Sequence, residues 1–180
     1  MSTAITTPVS VEQFMNLDLP EGREWELHDG EIVDMGEPTL NHRELQRRIF
    51  LILTRLFPNA EVLIEFPFQC GNSFRSADVG MTSTGRRAKA EKILEGAPDL
   101  VVEVLSPSNT VTALKEYRRL CFVNGAQVFL TVDSDDRTVE VQVKDDRGRR
   151  TFDAGEQISL ELFGQTVTLA IDDIFSDGRK

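Results

Sequence analysis

Two apolar segments each carry a carboxylate where a carboxylate is hard to keep. Asp78 lies between Ala77 and Val79 in Arg75-Ser76-Ala77-Asp78-Val79-Gly80-Met81. Glu103 lies inside Pro98-Asp99-Leu100-Val101-Val102-Glu103-Val104-Leu105-Ser106-Pro107-Ser108. Burying an ionised carboxylate in a hydrophobic strand is unfavourable unless a partner meets it, so two of them raise the prospect of a metal ion. Two hard carboxylates, a backbone carbonyl such as that of Val104 and several waters are the ligands Mg²⁺ prefers, with Mn²⁺ as the alternative. Such an ion deprotonates water and offsets the charge that develops on a phosphodiester during in-line attack. The chemistry implied is phosphodiester hydrolysis. Spacing alone serves a second reading equally well, in which Asp78 and Glu103 are strand-end residues paired with Arg75 or Lys115.

Side chains alternate along a strand, so Asp99, Val101, Glu103 and Leu105 share one face and Leu100, Val102 and Val104 the other. Asp99 sits at the strand entry beside Pro98, where a carboxylate normally bonds free backbone donors of a turn. Asp78 and Glu103 are therefore the pair to place together.

The elements that must position them follow from local signals. Ser10 and Gln13, just before Phe14 and Met15, form a capping box for a short helix ended by Pro20-Glu21-Gly22. Glu24 to Leu27 and Glu31 to Met35 flank Asp29-Gly30 as a hairpin. Leu45, Ile49, Ile52, Leu53 and Leu56 have helical spacing and predict an amphipathic helix ending near Pro58. Strands are expected at Glu61 to Phe68, Ser76 to Thr82 and Leu100 to Leu105, the last apolar enough to be buried on both faces. A helix over Thr110 to Asn124, stopped by Gly125, then leads to a strand over Gln127 to Val132, which makes a parallel crossover. Arg137 to Lys144 adds a hairpin partner, and the tail adds short strands and a final turn at Asp172 to Phe175. The class is α/β, a mixed sheet flanked by helices with added β-hairpins.

At 180 residues with 40% hydrophobic content, the chain fits one domain with a sizeable core. The N-terminus has no basic segment followed by an apolar run, and no later stretch is long enough to span a membrane, so a soluble, cytoplasmic protein is expected. Cys70 and Cys121 lack zinc-site spacing, and a disulfide is not expected in a reducing compartment. A formal net charge of −10 disfavours nonspecific nucleic-acid binding, although Arg86, Arg87, Lys89 and Lys92 cluster in one segment and Lys115, Arg118 and Arg119 in another. Edge strands and exposed hairpins point to a homodimer. No phosphate-binding glycine loop, HExxH helix or Ser/His/Asp elbow is present.

Glu24 to Val33, His42, Arg75 to Val79, Ala97 to Ser108 and Gly125 to Asp133 together resemble the restriction-endonuclease family of small bacterial proteins in the PD-(D/E)XK nuclease-like superfamily. The likeness spans about Val9 to Phe175 and is most specific from Pro98 to Ser108. It implies a restriction-endonuclease-like fold, a Mg²⁺-dependent endonuclease activity and a nucleic-acid substrate, most naturally DNA. By position it makes Asp78 and Glu103 the acids of the two catalytic strands and Glu26 an early acid near the metal. Pro98-Asp99 is not the "PD" of the superfamily name, because it stands too close to Glu103 for the required hairpin. The superfamily lysine would fall at Leu105, and in this family it is expected eight residues before the helix-ending glycine, which is Tyr117. Lys115 is the nearest cation, yet about 200° around the helix from Tyr117; Arg118, about 100° away, is the alternative. The resemblance thus also admits a catalytically impaired nuclease-fold module that binds nucleic acid or a protein partner.

Overall fold

The computed structural model describes residues 8–106, 109–146 and 148–176. Met1 to Thr7 and the Pro107-Ser108 end of the family-like run lie outside the described residues. Helix α1 (Val11–Phe14) is a single turn, closed by the reciprocal bonds Gln13 N–H to Ser10 Oγ (3.1 Å) and Ser10 N–H to Gln13 Oε1 (2.8 Å). Strands β1 (Glu24–His28) and β2 (Glu31–Gly36) pair around Asp29 and Gly30, whose φ values of 48° and 89° are both positive. Two positive φ values are what a type I′ turn needs, and Asp-Gly supplies them at low cost. Helix α2 (Leu40–Leu56) is capped by Thr39 and buries Leu45, Gln46, Ile49, Ile52 and Leu53. The expected stripe is there, with a glutamine in it.

Strands β3 (Ala60–Cys70) and β4 (Ser73–Ser83) form a hairpin longer at both ends than their apolar stretches indicate. Its outer end carries Gln69, Ser73 and Arg75, so pairing rather than hydrophobicity extends it. Helix α3 (Thr84–Arg87) and strand β5 (Leu94–Glu95) lead to β6 (Leu100–Val104), α4 (Val111–Val123) and β7 (Val128–Asp133). Strands β6 and β7 are parallel, with Leu100 opposite Val128, as a strand-helix-strand crossover requires. The chain continues as β8 (Thr138–Val143), β9 (Arg149–Phe152), β10 (Gln157–Leu162), β11 (Gln165–Ala170) and α5 (Ile171–Phe175).

The large mixed sheet has the order β2-β1-β4-β6-β7-β8-β9, with β3 on the other edge of β4 and β5 beyond it. One face is covered by α2, α5 and the β10-β11 hairpin, through Ile49, Leu53, Leu160 and Ile174 against Val79, Leu100, Val102 and Leu130. The opposite face packs on α4, through Tyr117 and Cys121 against Phe66, Phe68, Ala77, Val101 and Phe129. Leu100, Val101 and Val102 are all fully buried, which accounts for the unbroken apolar run of β6. Both cysteines are buried and free. Among the described residues no helix is long and apolar enough to cross a membrane.

Candidate active site

One edge of β4 loses its strand neighbours halfway along. β3 pairs with the whole of one edge, so β1 and β6 must share the other. β1 meets it at Leu27 opposite Phe74, and β6 from Val79 to Met81. Arg75 to Asp78 therefore have no strand on that side, and their backbone groups need other partners. Glu26 Oε1 accepts from Ser76 N–H (2.9 Å), Glu103 Oε1 from Asp78 N–H (3.4 Å), and Tyr117 donates to the Ser76 carbonyl (3.2 Å). Glu26, Glu103 and Tyr117 are brought together because they fill this gap.

The strand is also turned at that point. Val79 packs against α2, whereas Ala77 packs on the α4 side, so the usual alternation breaks at Asp78. The partner strand breaks in step: Val62 belongs to the first face and Phe66 to the second, with Glu65 between them at a left-handed φ of 50°. A non-glycine residue holds that conformation only where surrounding structure enforces it. The break carries Asp78 to the crease between the two faces. There Asp78 Oδ2 accepts from Val104 N–H (2.6 Å), and Oδ1 faces His42 Nε2 (2.9 Å) and Gln46 Nε2 (3.1 Å) on α2.

The resulting cleft, of about 560 Å³, is lined by Glu24, Glu26, Glu65, Asp78 and Glu103 together with Arg75, Ser76 and Tyr117. Crowded acids show in their titration. Burial first, then the charges of Asp78 and Glu26, push the Glu103 carboxyl well above the ordinary carboxylate range, with Arg75 and the Asp78 N–H only partly opposing. Burial and Glu65 raise Glu24 to about 7. Burial works against a charged His42, yet the hydrogen bond and attraction of Asp78, with Glu24 and Glu65, outweigh it and raise its pKa. Tyr117 is driven well above its usual value, by burial and then Glu103, so it remains a neutral phenol and cannot serve as a base near neutral pH.

Arg75 is the lysine or arginine among the residues lining this cleft. It does not pair with Asp78 or Glu103 as spacing permits; its Nε lies 2.8 Å from Glu26 Oε2, and its guanidinium lies over the Tyr117 ring, 4.2 Å from the centroid. His28 Nε2 also approaches Glu26 Oε2, at 2.6 Å. Lys115, expected as a catalytic cation, is not among the residues that line this cleft. Lys115 is exposed and borders a different groove, between α4 and β7 to β9, because two residues of helix turn it about 200° from Tyr117. Arg118 is turned to the same groove, donating to Glu140 Oε1 (2.6 Å) and Thr131 Oγ1 (3.1 Å). Asp99 is structural, as its position at the strand entry suggests. Its carboxylate accepts from Thr82 Oγ1, Ser83 N–H and Gln127 Nε2 and pairs with Arg86.

Glu26, Asp78 and Glu103 thus line one cleft. As they stand, no three His, Cys, Asp or Glu side chains among the described residues are disposed to hold a metal ion. The donor chemistry nevertheless fits a hard divalent cation: the acids are oxygen donors, and burial and the neighbouring charges disfavour the ionised form of Glu103, a penalty that a cation would offset. Gln46 was not among the expected residues. Its signal was a buried polar side chain one turn after His42, on the stripe facing the core.

A mixed sheet with helices on both faces and acids converging at a split strand edge defines a restriction-endonuclease-like nuclease fold. The structure of a "putative nuclease belonging to DUF820 from Anabaena variabilis" is similar, with a TM-score of 0.82 over 94% of this chain and 98% of that one, at 23% identity. The chain belongs to the Uma2 family, described as "Putative restriction endonuclease", whose pattern matches residues 11–172. No curated protein matches it.

Proposed function

We propose that the protein is a Mg²⁺- or Mn²⁺-dependent endonuclease that hydrolyses phosphodiester bonds, with DNA as substrate and Asp78 and Glu103 as the metal-holding carboxylates. The observation that carries this reading is their convergence at the unpaired edge of β4, within a nuclease family. When bound, the ion supplies an activated water and charge neutralisation at the phosphate. The chain's own residues prepare the site. His42, Gln46 and the Val104 N–H fix the Asp78 carboxylate, and the Asp78 N–H orients Glu103. Glu26, engaged by Ser76, His28 and Arg75, is an auxiliary acid at the cleft wall.

The test is metal-dependent nicking of supercoiled plasmid. The wild-type protein should cut with Mg²⁺ or Mn²⁺ and not in EDTA, and Asp78→Ala and Glu103→Ala should each lower the rate by at least about 10². Cleavage that survives both changes would falsify the site.

One observation favours a second reading, a nuclease-fold module without catalysis: Tyr117, neutral and buried, stands where a lysine is expected. Titration calorimetry separates the two. A silent module should take up Mn²⁺ weakly or not at all, whereas an enzyme should bind it through Asp78 and Glu103.

A further inference from the structure

We propose that Arg75 is the phosphate-contacting cation of the cleft and that Tyr117 is the positioning residue that holds it there; this rests on the reading of the cleft as a phosphodiester site. A structural arginine spends its Nη donors within the fold, as Arg118 does on Glu140 and Thr131 and Arg86 on the Ala97 carbonyl. Arg75 does otherwise. It pairs with Glu26 through Nε, at 2.8 Å, and that N–H is not aimed well enough to count as a hydrogen bond. Its Nη nitrogens make no hydrogen bond to any described residue, although the side chain is only 13% exposed and borders the cleft. Glu26 has other donors, Ser76 N–H on one oxygen and His28 on the other. The guanidinium is therefore fixed while its fork remains available to an anion.

The platform beneath it is rigid. The Tyr117 ring lies 4.2 Å from the guanidinium, stacks on Phe68 at 6.3 Å and meets Phe129 edge-on at 5.8 Å, while its hydroxyl is tied to the Ser76 carbonyl. A cation held over an aromatic face in a partly desolvated cleft loses little freedom when it takes a phosphate oxygen. An aromatic residue at 117 thus places a permanent positive charge beside Asp78 and Glu103. Arginine keeps its proton at all working pH values, so Arg75 binds and neutralises phosphate without acting as a base.

The experiment is binding of a fluorescein-labelled short DNA duplex to the full chain, read by anisotropy over a series of salt concentrations, with Ca²⁺ replacing Mg²⁺ to prevent cleavage. Arg75→Gln should weaken binding about tenfold and lower the slope of log K against log salt by about one. Arg75→Lys should keep the slope but not all the affinity, because the ammonium lacks the fork. Tyr117→Phe, which keeps the ring, should bind like wild type, and Tyr117→Leu should bind several-fold more weakly when both are assayed well below their melting temperatures. Unchanged affinity and slope in Arg75→Gln overturn the assignment of Arg75, and equal binding by the two Tyr117 variants overturns that of Tyr117. If Arg75→Gln fails to fold, the Tyr117 pair carries the test. Absence of duplex binding by the wild type would overturn the phosphodiester reading itself, and both assignments with it.

Discussion

Asp99 and Asp78 are both aspartates near the entry or middle of an apolar strand, and their partners separate their roles. Asp99 is only 5% exposed and satisfied by Thr82, Ser83, Gln127 and Arg86, all of them within the fold. Its carboxylate joins β4, β6, α3 and the start of β7. Removing it leaves buried donors unpaired, and Asp99→Ala should lower unfolding stability by about 2–3 kcal/mol in a denaturant titration. A loss below about 0.5 kcal/mol would contradict that role. Asp78, by contrast, is bonded by His42, Gln46 and the Val104 N–H and also borders a cleft that Glu24, Glu26, Glu65 and Glu103 line.

The β3-β4 hairpin is the element that makes the site. Its two strands change face together at Glu65 and Asp78, and the hairpin must stay closely packed on either side of that break. Gly80, two residues on, leaves no room for a side chain. A Cβ there would lie 2.5 Å from the Phe66 Cβ and 2.7 Å from its Cγ, atoms that no rotation of the ring can clear. Gly80→Ala should therefore force the strands apart at a cost of about 1–3 kcal/mol, and should impair cleavage beyond what stability explains by moving Asp78 against Glu103. Thermal unfolding with activity assayed well below the transition checks both parts. Wild-type stability would show that the strands relax at no cost.

Across the whole molecule, the acid-rich cleft sits in a chain of net charge −10. A ligand that binds only the folded state stabilises it by mass action. Mn²⁺ at about one hundred times its Kd should add about 2.7 kcal/mol, which for a domain of this size corresponds to a rise in Tm of roughly 5–10 °C. Asp78→Asn together with Glu103→Gln should abolish the rise, measured against the double variant's own metal-free Tm. A rise that persists in the double variant would place the ion elsewhere.

The elements legible in the chain are those specified by neighbours. The Ser10/Gln13 box, the Asp29-Gly30 turn, the α2 stripe and the Gly125 stop are each set by residues within a few positions of one another. Their physics is local hydrogen bonding, φ preference and periodic burial. The apolar run of β6 similarly announces a strand buried on both faces, and with it the parallel crossover through α4. Asp78 and Glu103 also stood out as carboxylates inside apolar strands, and the fold brings both to one cleft.

The surroundings of those acids were not legible, since they depend on which strand edge goes unpaired. Glu26 and Ser76 are 50 residues apart and Tyr117 and Ser76 are 41 apart. Nothing local links Arg75 to Glu26 or to the Tyr117 ring; they meet because β1 and β6 diverge from one edge of β4 and leave backbone groups that must find partners. That Arg75 lines the cleft while Lys115 borders another groove has the same origin. Helical spacing says which residues share a face with Tyr117, but only long-range strand pairing decides what that face touches.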